Sequence, residues 1–130
     1  MKEVYEFLKN SKVFYLATID NDKPRVRPFG ALNIFENKLY IQTGKVKEVS
    51  KQMSINPNIE ISSMYNGLWI RIEAIVVRDD RVEAKKSMLD NNPELRTMYN
   101  ELDDNTEVLY LKNVKATIYS FTDSPRVIDF

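Results

Sequence analysis

In the stretch Arg25-Val26-Arg27-Pro28-Phe29-Gly30, two guanidiniums and an aromatic ring lie close together in the chain. If the stretch is extended, Arg25, Arg27 and Phe29 share one face, because side chains alternate along a strand. Two guanidiniums on one face make a cradle for a phosphate. Pro28 removes a ladder donor, which places the stretch at an edge, a bulge or a barrel mouth. Gly30 permits close backbone approach, so a flat heteroaromatic ring has room to lie there. The competing reading is an edge strand whose charges discourage aggregation.

A second group is QTGKVKEVSK, residues 42–51. It reads as a strand ending at Thr43, a turn at Gly44 and a helix starting near Val46. A helix N-terminus offers unpaired N–H groups and partial positive charge, which suits a phosphate. Lys45 and Lys47 oppose the helix dipole unless an anion is held there. The spacing is not that of a Walker loop. Trp69, Arg71 and Glu73 share a third strand face, suited either to a cross-strand ion pair beside a tryptophan or to a ligand or subunit contact. The acidic residues Asp79, Asp80, Asp103 and Asp104 show no metal-ligand spacing and read as turn and cap residues.

Composition narrows the chemistry. The chain has no His and no Cys, which excludes a Ser-His-Asp triad, a cysteine nucleophile, a thiolate zinc site and an iron–sulfur cluster. Redox or group-transfer chemistry would then come from a bound cofactor. Net charge is zero, which argues against nucleic acid or a membrane surface as partner. Residues 1–55 carry 10 Lys/Arg against 6 Asp/Glu, so any anion site belongs to the first half. The N-terminal stretch has no apolar signal core, and no run is long enough to span a membrane; the default expectation is a cytoplasmic location.

The elements that would position these groups read as a single domain over residues 1–130. Val4, Phe7 and Leu8 give an amphipathic helix over 2–10. Strands are expected at 13–19, 24–36, 38–43, 58–65 and 68–78, with turns at Asp20-Asn21-Asp22, Glu36-Asn37-Lys38 and Asn66-Gly67. Val46, Val49 and Met53 suggest a helix over 46–55, closed by Asn56-Pro57. Asp80 would cap a helix over 81–91, with Val82, Lys85 and Met88 or Leu89 as its apolar line. Pro93 would open a further helix packing Leu95, Met98 and Tyr99. One long strand, bulged near Asn113, or a broken pair fills 106–122. Hairpins dominate and no β-α-β alternation occurs, so the fold class is mainly β: an antiparallel barrel with flanking helices.

These pieces, in this order, resemble the FMN-binding split-barrel proteins related to pyridoxamine 5′-phosphate oxidase, and most closely the nitroimidazole-reductase-like subgroup. VFYLATIDNDKPRVRPFG is similar to the family's opening. LYIQTGKVKEVSKQMSINPNIEIS is similar to its strand, phosphate loop, helix and next strand. GLWIRIEAIVVRD and LYLKNVKATIYSF are similar to its later strands. The resemblance implies a six-stranded antiparallel split barrel, a homodimer, and FMN in the cleft between subunits. It implies that Arg25, Arg27, Pro28, Phe29 and Gly30 line the flavin and that Thr43, Gly44 and Lys47 take its phosphate. Ser62 and Ser63 would supply a polar contact, and Trp69 and Arg71 would act across or beside the dimer interface.

The implied activity is that of a flavin oxidoreductase acting on a small-molecule substrate, with NADH or NADPH as a candidate electron donor. The chain departs from the family's pyridoxamine phosphate oxidases, which hold substrate with Arg and His near the C-terminus; here there is no His and the chain ends in PRVIDF. Without His, haem ligation would fall to Tyr. Two other readings stand beside the first. One is a non-catalytic flavin- or nucleotide-binding protein. The other is an oligonucleotide-binding barrel using Arg25, Arg27, Lys45 and Lys47 on the backbone.

Overall fold

The computed structural model describes Met1–Phe130. In chain order the elements are α1 (Lys2–Ser11), β1 (Phe14–Asp20), β2 (Lys23–Phe29), β3 (Leu32–Phe35), β4 (Lys38–Gly44), α2 (Glu48–Ile55), β5 (Asn58–Tyr65), β6 (Leu68–Asp79), α3 (Val82–Asn91), a 3-10 turn (Pro93–Thr97), β7 (Thr106–Tyr119) and β8 (Arg126–Asp129). All strand pairs are antiparallel, in the order β2-β1-β5-β6-β7-β4-β3, with β8 on β7. The two ends of this path, β2 and β3, are joined through Gly30-Ala31. The sheet is therefore closed on one side by the chain itself rather than by a hydrogen-bonded ladder, and that gap is the split of a split barrel.

The tight turns hold residues at positive φ, a region that Gly and Asn accept most readily. Glu36 and Asn37 (φ 48° and 60°) and Asn66 and Gly67 (φ 53° and 77°) make the β3–β4 and β5–β6 hairpins. Asn113 has φ 54° and lies where two β7 residues, Asn113 and Val114, face Ala74 alone. This is the bulge its sequence position suggests, and it bends the two longest strands around the core. Phe14, Leu16, Leu39, Ile41, Ile61, Ile70 and Ile72 fill that core with Val4, Phe7 and Leu8 of α1. A smaller cluster of Tyr40, Ala84, Met88 and Val108 seats α3 on the opposite side of β4.

Several expectations need correction. The strand expected over 24–36 is two strands, because the chain turns at Gly30-Ala31 to leave one sheet edge for the other. With β8 added from the tail, the sheet has eight strands rather than six. α2 begins at Glu48, and Val46 lies outside it, 73% exposed. Asp80 does not cap α3: its N-cap is Arg81, whose N–H donates to Asp79 Oδ1 at 3.1 Å. Val82 is exposed rather than part of the apolar line. The helix expected after Pro93 is a single 3-10 turn with no buried residue.

Asp79 ties β6, β4 and α3 together. Its Oδ2 accepts from the Tyr40 hydroxyl at 2.8 Å and from Arg81 Nη2 at 2.9 Å, and Arg81 also reaches Glu36. Hydrogen bonds from Arg81 hold the Asp79 carboxyl down at about 2, against the opposing effect of burial. A carboxyl depressed in the folded state contributes stability that is complete above its unfolded value and lost as pH falls through the folded one. Denaturant stability should therefore drop between about pH 4 and pH 2, and Asp79→Asn should flatten that part of the profile. An unchanged acid limb in the variant would refute this assignment.

Candidate functional site

β2 ends, β3 begins, β4 ends and α2 starts at the same end of the barrel, and a cleft of about 430 Å3 opens among them. Arg27, Pro28, Phe29 and Gly30 form one wall, Thr43 and Lys47 the floor, and Leu95 of the 3-10 turn with Met98 and Tyr99 just after it the opposite wall. Its size lies within the range of small-molecule sites, roughly 300–1,000 Å3.

The electrostatics are those of an anion site. Arg27 projects from the inner face of β2 and is anchored by three neutral acceptors. Nη1 donates to the Leu16 carbonyl at 3.2 Å and to Thr18 Oγ1 at 2.7 Å, and Nη2 donates to Gln52 Oε1 at 2.7 Å. No carboxylate pairs with Arg27. Burial, and then the charge of Arg25, shifts its pKa downward. Lys47 is likewise without an acidic partner, whereas Lys45 is held by Asp104 at 3.5 Å and does not line the cleft.

Lys47 is also the N-cap of α2 and provides no side-chain cap. The N–H groups of Glu48 and Val49 accordingly have no intrachain acceptor. An uncapped helix start beside two unpaired cations favours a bound anion. One carboxylate, that of Glu94, lines the far wall without pairing with either cation.

Gln42 adds a second kind of evidence. It faces the α3 side of β4, between Tyr40 and Gly44, is 6% exposed, and lines the cleft. Neither its amide nitrogen nor its amide oxygen has a hydrogen-bond partner. Burying an unpaired amide costs about 1–3 kcal/mol, a cost that a ligand carrying both a donor and an acceptor would offset. Gly44 is fixed by space rather than by φ: a Cβ there would lie 3.2 Å from the Tyr99 hydroxyl and 3.2 Å from Asn105 Nδ2.

The residues singled out in the sequence divide into two groups. Arg27, Pro28, Phe29, Gly30, Thr43 and Lys47 meet in the cleft, with Gly44 just behind it. Arg25 shares their strand but turns to Asp20, with Nε 3.1 Å from Oδ2, and stays outside. Ser63 is spent on the Val13 carbonyl at 2.8 Å. Ser62, Trp69 and Arg71 lie on the outer face of the sheet, where Arg71 pairs with Glu60 at 3.3 Å and Trp69 stacks on Tyr119. Within one chain these three do not meet the cleft.

Sequence reasoning gave no site role to Lys12, Gln42, Glu94, Leu95, Met98 and Tyr99, all of which line the cleft. For Gln42 a signal existed: a large polar side chain inside an otherwise apolar strand. For the wall beyond Pro93 there was none, because its contact with β4 depends on the path of the whole chain. No cluster of carboxylates is placed to hold a metal, and no helix is long and apolar enough to cross a membrane.

Comparison with known proteins agrees with the architecture. The family model for pyridoxamine 5′-phosphate oxidase matches residues 1–113. A NimC/NimA family protein from Clostridium acetobutylicum superposes with a TM-score of 0.97 at 44% identity, covering 100% of this chain and 92% of that one. General Stress Protein 26 from Bacillus anthracis superposes with a TM-score of 0.76 at 17% identity, covering 99% and 97%. A haem-binding protein from Mycobacterium smegmatis, at 13% identity and a TM-score of 0.74 over 96% of this chain and 57% of that one, shares the fold. No curated protein matches the chain.

Proposed function

The chain belongs to the pyridoxamine 5′-phosphate oxidase family, and on that scaffold we propose that it binds FMN in the cleft and passes electrons through it to a small-molecule substrate. The observation that carries this reading is the pairing of two cations without counter-ions, Arg27 and Lys47, with the uncapped start of α2. The phosphate is assigned to Arg27, Lys47, Thr43 and the first N–H groups of α2. The ring system is assigned to the wall of Pro28, Phe29 and Gly30. The orphaned Gln42 amide suits a ligand rich in alternating donors and acceptors. When bound, the flavin supplies the electron transfer, and the chain's own residues bind it, orient it and set the charge around it.

The test is anaerobic reduction of the FMN-loaded protein by NADH or NADPH, followed by reoxidation with added acceptors. Bleaching of the flavin band and its recovery by a small-molecule acceptor support an oxidoreductase. A bound flavin that dithionite reduces but no acceptor reoxidises faster than free flavin would mean a non-catalytic binder.

The outer sheet face bears on the partner. Tyr15, Val26, Met64 and Phe121 lie exposed there, the last at 84%. A broad apolar face of this kind marks an interaction surface, and we assign it to a second copy of this chain. The copy would bring its Ser62, Trp69 and Arg71 face against the β2 edge. Light scattering should give about twice 15.3 kDa, and Val26→Asp should yield monomers with weakened FMN binding. A wild-type monomer that holds FMN at micromolar concentration would contradict this.

A further inference from the structure

We propose that Gln52 is a positioning residue whose neutrality leaves the charge of Arg27 uncompensated for an anion in the cleft. The inference rests on the FMN reading above and concerns how this chain prepares its site for the phosphate.

Gln52 lies on α2, one turn beyond its start, and is largely buried. Its Oε1 accepts from Arg27 Nη2 at 2.7 Å and from Thr18 Oγ1 at 2.5 Å. Arg has only donors, so the Gln52 atom facing it must be the oxygen. Thr18 completes a triangle by accepting from Arg27 Nη1 while donating to Gln52. With the Leu16 carbonyl, these contacts fix a long, flexible side chain in one place. A single arrangement for a guanidinium is ordinarily obtained with a carboxylate, which holds it more strongly. Here every acceptor is neutral. The hold is kept and the charge is not cancelled, at the expense of leaving a partly buried cation unpaired.

Gln52→Glu separates the two effects. A Glu carboxylate keeps both accepted hydrogen bonds in the same volume and neutralises Arg27. Gln52→Met keeps the bulk and removes the acceptor, so Arg27 keeps its charge and loses its anchor. Binding of FMN and of riboflavin, which lacks the phosphate, is measured for each variant by quenching of flavin fluorescence, at low and high salt. A charge-assisted contact corresponds to about 10-fold or more in Kd.

Gln52→Glu should therefore weaken FMN by about 10-fold or more at low salt, leave riboflavin unchanged, and reduce the salt sensitivity of FMN binding. Gln52→Met should weaken FMN by a smaller factor and retain wild-type salt sensitivity. FMN affinity unchanged in Gln52→Glu, or an equal loss of FMN and riboflavin, overturns the proposal while leaving FMN binding in place. A wild-type protein that binds neither flavin overturns the FMN reading and this inference together.

Discussion

Lys47→Ala should raise the Kd for FMN by about 10- to 100-fold, the equivalent of a lost charge-assisted hydrogen bond of roughly 1.5–3 kcal/mol. Lys47 is well suited to this test. It has no acidic partner, and its backbone already caps α2 without help from the side chain. Removing the ammonium breaks no contact within the chain, so folding stability should stay within about 0.5 kcal/mol of wild type, as for surface changes in general. Lys45→Ala is the matched control. Lys45 precedes the same helix but is directed to Asp104 and lies outside the cleft. Its removal should change FMN affinity only slightly. Equal effects at the two positions would mean a diffuse field rather than a phosphate contact, and no effect at Lys47 would remove it from the site.

Arg78→Leu should destabilise the fold by roughly 1–3 kcal/mol, the cost of leaving a buried acceptor without its partner, Arg78 itself being partly exposed. Glu107 in β7 has a fully buried side chain and holds the start of α2 to the barrel. Its Oε1 accepts from Ser50 Oγ at 2.8 Å, and its Oε2 lies 2.8 Å from Arg78 Nε. Arg78 also donates to Ser54 Oγ at 2.9 Å. Without Arg78 the carboxylate stays in the interior with the Ser50 hydroxyl alone, and such a charge is far from offset. Adding Glu107→Gln to Arg78→Leu removes the stranded charge, so the double variant should regain most of the loss in a urea or guanidinium melt. A double variant as unstable as the single would show that packing around Arg78, not the carboxylate, carries the effect. Because α2 bears the proposed phosphate contacts, the single variant should also lose FMN affinity at temperatures where it remains folded.

The parts of the fold legible in the sequence are those set by local rules. α1 follows from the spacing of Val4, Phe7 and Leu8, all buried as that spacing implies. The hairpins follow from Glu36-Asn37 and Asn66-Gly67, and the bulge from Asn113, each at positive φ. β5 spans Asn58–Tyr65, the range its alternation marks out. What was not legible depends on where distant segments meet. Nothing local says that the chain leaves one sheet edge at Gly30 for the other, since extended residues lie on both sides of the break. The 3-10 turn has the same apolar spacing as a helix, yet it lines a cleft rather than a core.

The candidate site shows the same division. Alternation places Arg25 and Arg27 on one strand face, and they do share it. Only tertiary contacts separate them. Asp20 takes Arg25 out of the cleft, whereas Thr18 and Gln52 hold Arg27 in it. Thr43 and Lys47 were legible because a strand end, a glycine and a helix start lie within five residues of one another. Gln42 and the wall beyond Pro93 needed the barrel to be closed first. Trp69 and Arg71 share a strand face, as alternation requires, but that face is turned away from the chain's own cleft. Their proposed role therefore depends on a second copy.

The most direct test of the central claim, that the cleft between β2, β4 and α2 takes FMN, is a titration of the purified protein with FMN followed by visible absorption. FMN in this cleft gives a shifted flavin spectrum that saturates at one FMN per chain, and that saturation is lost when Arg27 and Lys47 are both replaced by Met. A flavin spectrum unchanged by the protein, or saturation that survives the double replacement, would contradict it.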